Sequence, residues 1–442
     1  MQLFVFILFI LITLAQFVGD SIPSLRLFGY SPDLLSLLVL PYMVLEGIRR
    51  RFDLLAAKYC LAFGALALIA ACGVVVNDVS AGPLLLSLRS YFRALPFFLL
   101  PIVADFSERQ IGQQLRLLLA LALLQFPVAI FQRWVVLSHE RYSGDSVVGT
   151  LHDSGAMSIF LICAALVATG LYLRGRLQKR PFFILLFLLI FPTTINETKV
   201  TVFYVPLGFL ITLLVGAERG HKAKVLGWCA AFMVIFVAVF VPVYNLMETY
   251  NPYKQEKDIV SFFGDQKQVS HYLYANAKGV GTKVQVRRGD SIVVPFSFLA
   301  KDPIRLALGL GVGNTLSSSL GPTYAGKYSN LFSSYMNLSL TSFLLEMGLL
   351  GVGALLVIYG LIASDSFAVA RDDGLVGAIA IGWTGVTALM CISLIYTNTH
   401  IFDSLSYTFW YFSGMIAAQR VKLMARTSRA TVQVGYRSSA LR

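Results

Sequence analysis

Two arginines lie inside an apolar stretch of this chain that is long enough to cross a membrane. Arg89 and Arg93 are four residues apart within the stretch 83–104, so a helix places both guanidinium groups on one face. At about 1.5 Å per residue, they lie about 9 Å and 15 Å from the end nearer residue 83. An arginine at such depth costs at least ~2.5 kcal/mol unless it meets a partner or a polar cavity. Two interpretations follow: carboxylates of neighbouring helices neutralise the pair, or the forked side chains bind an anion such as phosphate.

Three further cations lie near the ends of apolar stretches. Lys199 opens one such stretch, and the alternatives to anion binding are that it extends to the membrane interface or pairs with Glu197. Arg287 and Arg288 are adjacent and precede an amphipathic stretch at 291–300, where a solvated loop face is the alternative. Together with the arginine pair, these residues would line one cationic cleft.

A catalytic site in such a cleft also needs a general base, which acidic and histidine side chains supply. The candidates on the same predicted face of the membrane are Asp145, Asp153, Glu197, Asp290, Asp403, His152 and His400. We select Asp153, with His152 and Glu197 next. Asp153 directly precedes an apolar helix, where aspartate also serves well as an N-cap, so helix capping is the alternative. Glu346 lies inside a predicted span, which favours helix packing or hydrogen bonding over catalysis.

The composition indicates a polytopic, all-α membrane protein. Of the 442 residues, 57% are hydrophobic and 13% are charged, and a soluble domain carries roughly twice that charged fraction. Apolar runs long enough to cross a hydrocarbon core of about 30 Å recur along the chain. The first run lacks a basic start and a cleavage site, so it is interpreted as a span rather than a signal peptide. We predict twelve spans, at about 1–18, 31–48, 55–76, 83–104, 114–136, 154–173, 181–194, 198–217, 224–245, 337–363, 374–396 and 402–419.

The distribution of basic residues predicts the orientation of these spans. The connections after spans two, four, six, eight and ten carry most of the arginines and lysines in short loops, as does the tail. Basic short loops stay in the cytoplasm, so both termini are expected inside. The predicted organisation is spans one to nine in 1–245, a large outer loop with short amphipathic helices in 246–336, spans ten to twelve in 337–419, and a basic cytoplasmic tail in 420–442.

Several function classes are disfavoured by the same sequence. The net charge of +13 reflects membrane topology, so no nucleic-acid partner is expected. The five cysteines all lie in predicted spans and form no CxxC pair, so neither a disulfide framework nor a zinc site is indicated. There is no Walker A sequence, dinucleotide fingerprint or internal repeat of 20–50 residues.

Three segments, taken in order, resemble one family. They are 149–156 (GTLHDSGA), 196–199 (NETK), and 302–314 (DPIRLALGLGVGN) followed by 340–351 (LTSFLLEMGLLG). This pattern resembles the O-antigen ligase and Wzy-type polysaccharide polymerase superfamily. The resemblance implies a GT-C-like bundle of about twelve helices with a large periplasmic loop late in the chain. It also implies glycan substrates carried on undecaprenyl diphosphate and no metal cofactor.

The resemblance also implies roles for individual residues. Lys199 stands where the family usually has an arginine, and Arg288 has the family spacing to Pro303; the resemblance implies that both hold the lipid diphosphate. Arg287, Arg89 and Arg93 are predicted to bind the diphosphate with them, because their charges would line the same cleft. The glycine motif comprises Gly309, Gly311 and Gly313 and is followed by Glu346. Ligases carry a histidine nine residues before that glutamate, where this chain has Asn337, which favours a polymerase over a ligase.

The leading hypothesis is therefore a glycosyltransferase of the bacterial inner membrane. It would join undecaprenyl-diphosphate-linked repeat units into an exopolysaccharide, capsule or O-antigen on the periplasmic face, by an inverting displacement. Its partners would be a lipid-linked donor and acceptor, membrane lipid, and a chain-length regulator with export machinery. Loop tyrosines could stack on sugar rings, namely Tyr250, Tyr253, Tyr272 and Tyr274. The alternatives are a ligase-like transfer to another acceptor and a secondary transporter or glycan flippase, although transporters usually show matching halves.

Overall fold

A computed structural model describes residues 1–50, 52–137, 144, 146–217, 222–249, 264–274, 286–318 and 320–439. These residues form helices, turns and connections, and no strand occurs among them. The first half of the described chain contains α1 (Gln2–Ser21), a 3-10 helix (Pro23–Tyr30), α2 (Ser31–Arg49), α3 (Ala57–Val76), α4 (Ala81–Phe92), α5 (Leu95–Ala104), α6 (Glu108–Phe131) with a π-helical end (Gln132–Val136), α7 (Ser154–Leu173), α8 (Lys179–Ile190), α9 (Pro192–Ile195) and α10 (Thr201–Gly216).

The second half contains one long, weakly packed helix, several short ones and three long helices at the end. They are α11 (Lys222–Thr249), α12 (Gln266–Leu273), α13 (Arg288–Leu299), α14 (Pro303–Leu308), a 3-10 turn (Pro322–Tyr324), α15 (Ser329–Phe332), a second 3-10 turn (Ser333–Tyr335), α16 (Ser339–Val369), α17 (Leu375–Ser393) and α18 (Asp403–Ser439). The short helices α12 to α15 lie in the predicted outer loop.

Eight helices of the described chain are long and apolar enough to cross a membrane, or nine if the bent pair α4 and α5 forms one span. The prediction of a multi-pass helical membrane protein is therefore confirmed. Three of the twelve predicted spans coincide with helices outside this group: α8 has 12 residues, α10 has 16, and α18 is long but not apolar enough. The number twelve and the GT-C-like arrangement stay predictions.

The centre of the bundle is formed by α7 and α17, which are the most deeply buried of the long helices. Small residues bring their backbones together. A Cβ atom on Gly170 would lie 2.2 Å from the carbonyl oxygen of Ala378, and one on Gly382 would lie 2.4 Å from that of Leu166. Close approach through glycine is a common way to pack helices in lipid, where burial of apolar surface gives no driving force. By contrast, α11 exposes most of its apolar surface, as a lipid-facing helix does.

The glycine motif packs the predicted outer loop against the bundle. Gly309, Gly311 and Gly313 have φ angles of +73°, +88° and +102°, a region that side chains other than glycine rarely adopt. A Cβ atom on Gly309 would lie 2.6 Å from the backbone of Glu346, and one on Gly313 would lie 2.6 Å from that of Pro83. The motif therefore lets the chain lie directly against α16 and α4.

Glu346 completes this contact from the helix side. Its carboxylate is fully buried, and its Oε1 accepts a hydrogen bond of 2.7 Å from Oγ1 of Thr315, just beyond the glycine motif. The amide of Leu310 donates to the carbonyl of Leu345 at 2.7 Å, and α16 is kinked at Gly348, where φ is +64°. Glu346 thus acts as a hydrogen-bonding residue that joins α16 to the glycine motif.

Replacing Gly309 with alanine tests this packing. The Cβ atom meets the backbone of α16 and φ is unfavourable, so we expect a loss of at least about 1–3 kcal/mol in stability and a lower midpoint of thermal unfolding in detergent. The control is Gly353→Ala in α16, where an added Cβ has nothing within 4 Å; its midpoint should stay the same or rise. Equal midpoints for the two variants would show that the motif does not hold the loop.

Candidate functional site

A buried carboxylate joins three helices near one end of the bundle. Asp33, in the first turn of α2, accepts a hydrogen bond of 2.9 Å from Nε of Arg89, and Nη1 of Arg93 lies 3.3 Å from its other oxygen. The hydroxyl of Tyr407 donates to that same oxygen at 3.0 Å. Nη1 of Arg93 also lies 2.8 Å from Asp403, the first residue of α18. We call these five residues the Asp33 network.

The Asp33 network balances its own charges. Two guanidinium groups face two carboxylates, so the first of the two interpretations of the arginine pair describes the structure. The side chain of Arg93 is 9% exposed, and its Nη2 donates to the carbonyl of Ile401. Both terminal nitrogens of Arg93 are thus engaged by the protein, which leaves no fork for a diphosphate. Arg89 keeps its Nη1 without a hydrogen-bond partner among the described residues, and its guanidinium lies 4.8 Å from the ring centroid of Tyr30.

A break between two helices allows Arg93 to reach this position. α4 ends at Phe92 and α5 begins at Leu95, with a bend of 46° between them. Pro96 lies in the first turn of α5, where proline is tolerated because its missing amide hydrogen has no helical partner. The carbonyl of Arg93 instead accepts a hydrogen bond from the hydroxyl of Ser36 in α2.

A cavity of about 240 Å³ opens beside the network. Its polar lining comes from five elements, namely Gln16 of α1, Tyr30 of the 3-10 helix, Arg89 and Arg93, His152 before α7, and Asp403 and Ser404 of α18. His152 is exposed, and its Nδ1 lies 3.1 Å from Oδ2 of Asp20. The predicted base His152 and the predicted pair Arg89 and Arg93 therefore line one cavity.

The start of α7 is held in place by amide side chains. Oε1 of Gln132 accepts from the backbone amide of Gly149 at 2.7 Å, and Gln125 accepts from that of Thr150 at 2.8 Å. From the other side, Nδ2 of Asn196 donates to the carbonyl of Ser154 at 2.8 Å. The predicted segments 149–156 and 196–199 are thus joined by direct hydrogen bonds.

Asp153 occupies the N-cap position of α7. Its Oδ1 accepts a hydrogen bond of 2.7 Å from the backbone amide of Ala156. The capping role considered from the sequence is therefore present. The side chain is half-buried, and the residue directly follows His152, which lies in the wall of the cavity. This cap uses one of the two carboxylate oxygens.

Arg288 lies against the same end of α7 through an intervening tyrosine. Its Nε donates to the carbonyl of Tyr396 at 3.2 Å, and its guanidinium lies 4.4 Å from the centroid of that ring. The ring also packs on Gly155, where an added Cβ would lie 3.3 Å from Cε1 of Tyr396. A cation, a phenol ring and the carboxylate of Asp153 thus converge at the N-terminus of α7. Arg287 is half-buried at the N-cap of α13, next to Arg288.

Glu197 is engaged by an arginine that the sequence reasoning did not consider. Oε1 of Glu197 lies 2.9 Å from Nη2 of Arg133, and both side chains are almost fully buried. This pairing differs from the predicted ion pair with Lys199, and an enclosed carboxylate beside an arginine is poorly placed to receive a proton from a substrate. Arg133 could have been found by the same argument as Arg89, since it is a charge in a predicted span. Lys199 is half-buried two residues beyond Glu197.

Two further predicted residues lie at the start of α16. Asn337 is exposed, and its Nδ2 donates to the carbonyl of Val286 at 3.3 Å, so it lies beside Arg287. Nδ1 of His400 lies 2.9 Å from Oγ of Ser339. Burial, and to a smaller extent the charge of Arg93, lowers the pKa of His400 to about 3. His400 is therefore neutral at physiological pH and a weak proton acceptor, which disfavours it as the base.

The short connection between α17 and α18 contacts both the Asp33 network and Arg288. Between α17 and α18, Tyr396 contacts Arg288, the carbonyl of Thr397 accepts from the amide of Ser339 at 3.2 Å, and Ile401 contacts Arg93. The start of α7 and this connection therefore border both the cavity beside the Asp33 network and the side chain of Arg288. The glycine motif packs against α3, α4 and α16, so its role is structural.

Some candidates fall outside the described residues. Asp145, Tyr250 and Tyr253 do so, as does the side chain of Tyr272, whereas Tyr274 is exposed. Among the side chains that the structure describes, no group of three or more His, Cys, Asp or Glu could hold a metal ion.

A scan against protein-family models finds no match, and a search of the curated proteins finds no similar sequence. The function is therefore argued from the site.

Removing the central carboxylate should destabilise the protein. Asp33→Ala leaves the buried Arg93 with Asp403 as its remaining carboxylate and the more exposed Arg89 without one, and breaking a buried pair on one side costs about 3–5 kcal/mol. We expect a marked fall in the midpoint of thermal unfolding in detergent. The control is Asp373→Ala, because the carboxylate of Asp373 is 94% exposed although it lies 2.9 Å from Arg174; its midpoint should not change. A wild-type midpoint for Asp33→Ala would show that the arginines are compensated elsewhere.

Proposed function

We propose that this protein is a membrane glycosyltransferase that polymerises undecaprenyl-diphosphate-linked repeat units into an exopolysaccharide, capsule or O-antigen. The observation that carries the proposal is the convergence of Arg288, Tyr396 and Asp153 at the N-terminus of α7. A transferase acting on a lipid diphosphate needs a cation for the leaving group and a base for the acceptor. Of the three resembling segments, 149–156 contains Asp153, 196–199 bonds to the start of α7 through Asn196, and 340–351 contacts α13 through Thr341.

The proposed reaction is a displacement at the anomeric carbon of the growing chain. The acceptor hydroxyl of a new lipid-linked unit attacks that carbon while the bond to the diphosphate oxygen breaks on the opposite face. Asp153 takes the hydroxyl proton, and the diphosphate leaves with the bonding electrons. Arg288 stabilises the developing charge, aided by Arg287 and Lys199, and no metal takes part in this scheme. An aligned cation of this kind lowers the barrier because it needs no reorganisation during the reaction.

This scheme assigns different roles to the charged residues of the Asp33 network and to Arg288. Arg93 and Asp33 hold α2, α4 and α18 together, so they position the site. Arg288 lies at the start of a loop helix and stacks on one tyrosine ring. It is the cation through which we propose that the diphosphate is bound, in place of the predicted pair Arg89 and Arg93.

We place the reaction on the periplasmic face of a bacterial inner membrane, with both termini in the cytoplasm. The predicted inner connections contact one another, which supports this topology: Arg174 lies 2.9 Å from Asp373, and the amide of Leu375 donates to Glu108 at 2.9 Å. The predicted outer connections likewise meet, through His152 with Asp20. The excess of basic residues in the inner connections sets which end faces the cytoplasm.

Incubation of the purified protein with lipid-linked repeat units tests the activity, with glycan length as the readout. We expect a ladder of products for the wild type. Arg288→Ala should lower the rate by about 100-fold or more, because one preorganised donor to a developing anion is typically worth that much. Arg288→Lys should recover part of it, since a lysine keeps the charge but not the fork.

The matched control is Arg305→Ala, because Arg305 of α14 is partly exposed and pairs locally with Asp302. It should retain the ladder. A single addition to another acceptor would indicate a ligase instead, and no product from any lipid-linked unit would contradict the transferase proposal.

Asp153→Asn separates the base from the helix cap. Asparagine caps a helix about as well as aspartate, so the midpoint of thermal unfolding should be unchanged. It cannot accept the proton, so the ladder should be lost. Asp153→Ala should lose both stability and product. Near-normal polymer from Asp153→Asn would remove Asp153 from the mechanism and leave it as a cap alone.

A further inference from the structure

The cavity beside the Asp33 network has the size of a small ligand site. At about 240 Å³ it is smaller than the roughly 300–1,000 Å³ of pockets that enclose drug-sized molecules. It lies between α1, the 3-10 helix, the joint of α4 and α5, the start of α7 and the start of α18. It suits a group such as one sugar ring better than a lipid chain or a whole repeat unit.

The charges around the cavity argue against an anionic ligand. Arg89 and Arg93 are balanced by Asp33 and Asp403, and Asp403 itself lines the cavity. At the rim, the carboxylate of Asp20 faces His152. A phosphate group placed here would meet the carboxylate of Asp403 in the wall and no excess positive charge. Repulsion between the two anions would offset the attraction of the phosphate to Arg89.

The lining instead suits a ligand whose groups both donate and accept hydrogen bonds. Gln16 and Ser404 each offer donors and acceptors, Asp403 offers an acceptor, and Arg89 offers its Nη1. Gly29 brings the 3-10 helix close to Gln16, since a Cβ there would lie 2.9 Å from Oε1 of Gln16. Sugar hydroxyls are donors and acceptors at once, whereas phosphate oxygens only accept.

Apolar side chains complete the cavity. They are Ile12, Leu151, Ala156, Ile401 and Phe402. A pyranose ring presents C–H groups on its faces and hydroxyls at its edge, so a cavity with mixed polar and apolar walls matches it. The wall residue His152 directly precedes Asp153, so a ring bound here lies next to the proposed reaction point.

We propose that this cavity binds one uncharged sugar residue of the lipid-linked glycan, separately from the diphosphate at Arg288. The inference rests on the proposed function for the identity of the glycan. It differs from the sequence-based prediction, which placed phosphate at Arg89 and Arg93.

Ligand-observed NMR on the full chain in lipid nanodiscs tests the proposal. The probes are a panel of neutral methyl glycosides, detected by saturation transfer, and inorganic pyrophosphate, detected by phosphorus line broadening. At least one glycoside should bind the wild type. Gln16→Leu should weaken that binding by roughly tenfold, the size expected when hydrogen bonds to one side chain are lost. Pyrophosphate broadening should persist in Gln16→Leu and disappear in Arg288→Ala.

Ser404→Ala is a second variant in case Gln16→Leu does not fold, and it should weaken glycoside binding in the same direction. Absence of binding by every glycoside of the panel would overturn the proposal, as would undiminished binding by both variants. Loss of the pyrophosphate signal in Gln16→Leu would show an anion site instead.

The polymer ladder separates the two proposals. Glycoside binding without a ladder would refute the transferase and leave the sugar site. A ladder without glycoside binding would support the transferase and refute the sugar site.

Discussion

The end of the bundle that holds the Asp33 network depends on the neutralisation of Arg89 and Arg93 by Asp33 and Asp403. Asp33 accepts hydrogen bonds from Arg89 and Tyr407 and pairs with Arg93, so a single side chain joins α2, α4 and α18. An uncompensated guanidinium inside an apolar bundle is costly, and this cost fixes how the three helices meet. The bend between α4 and α5 allows Arg93 to reach the network, and the cavity lies beside it. Arg93 also contacts Ile401, which extends the constraint to the connection between α17 and α18.

That connection and the start of α7 form the shared support of the proposed chemistry. Tyr396 contacts both Arg288 and Gly155 in the first turn of α7, the helix that Asp153 caps. Because the same connection is anchored by Arg93, the balanced network acts on the site indirectly, by holding its walls. The paired charges of the Asp33 network therefore position the helices. In the proposed reaction, Arg288 at the start of α13 binds the diphosphate.

The glycine motif illustrates how a sequence signature can be structural. Gly309, Gly311 and Gly313 are required because their φ angles are positive and neighbouring backbones lie too close for a side chain. Glu346 is buried and accepts from Thr315, so it joins the motif to α16. The spacing that carried the family resemblance is thus explained by packing, which places the segment 309–313 directly on the bundle. It does not by itself identify an activity.

Much of the helical architecture follows from the sequence alone. Apolar runs of membrane-spanning length are local properties, and α7 occupies the predicted range 154–173. The need for partners at Arg89 and Arg93 also follows from the sequence, because burying a charge is costly wherever it occurs. The identity of those partners was decided by the tertiary structure: Asp33 lies 56 residues from Arg89 and 374 from Tyr407. Likewise, Glu197 pairs with Arg133, 64 residues earlier in the chain. Hydropathy is encoded within about 20 residues, whereas an ion pair depends on which distant helices pack together, and no local pattern specifies that choice.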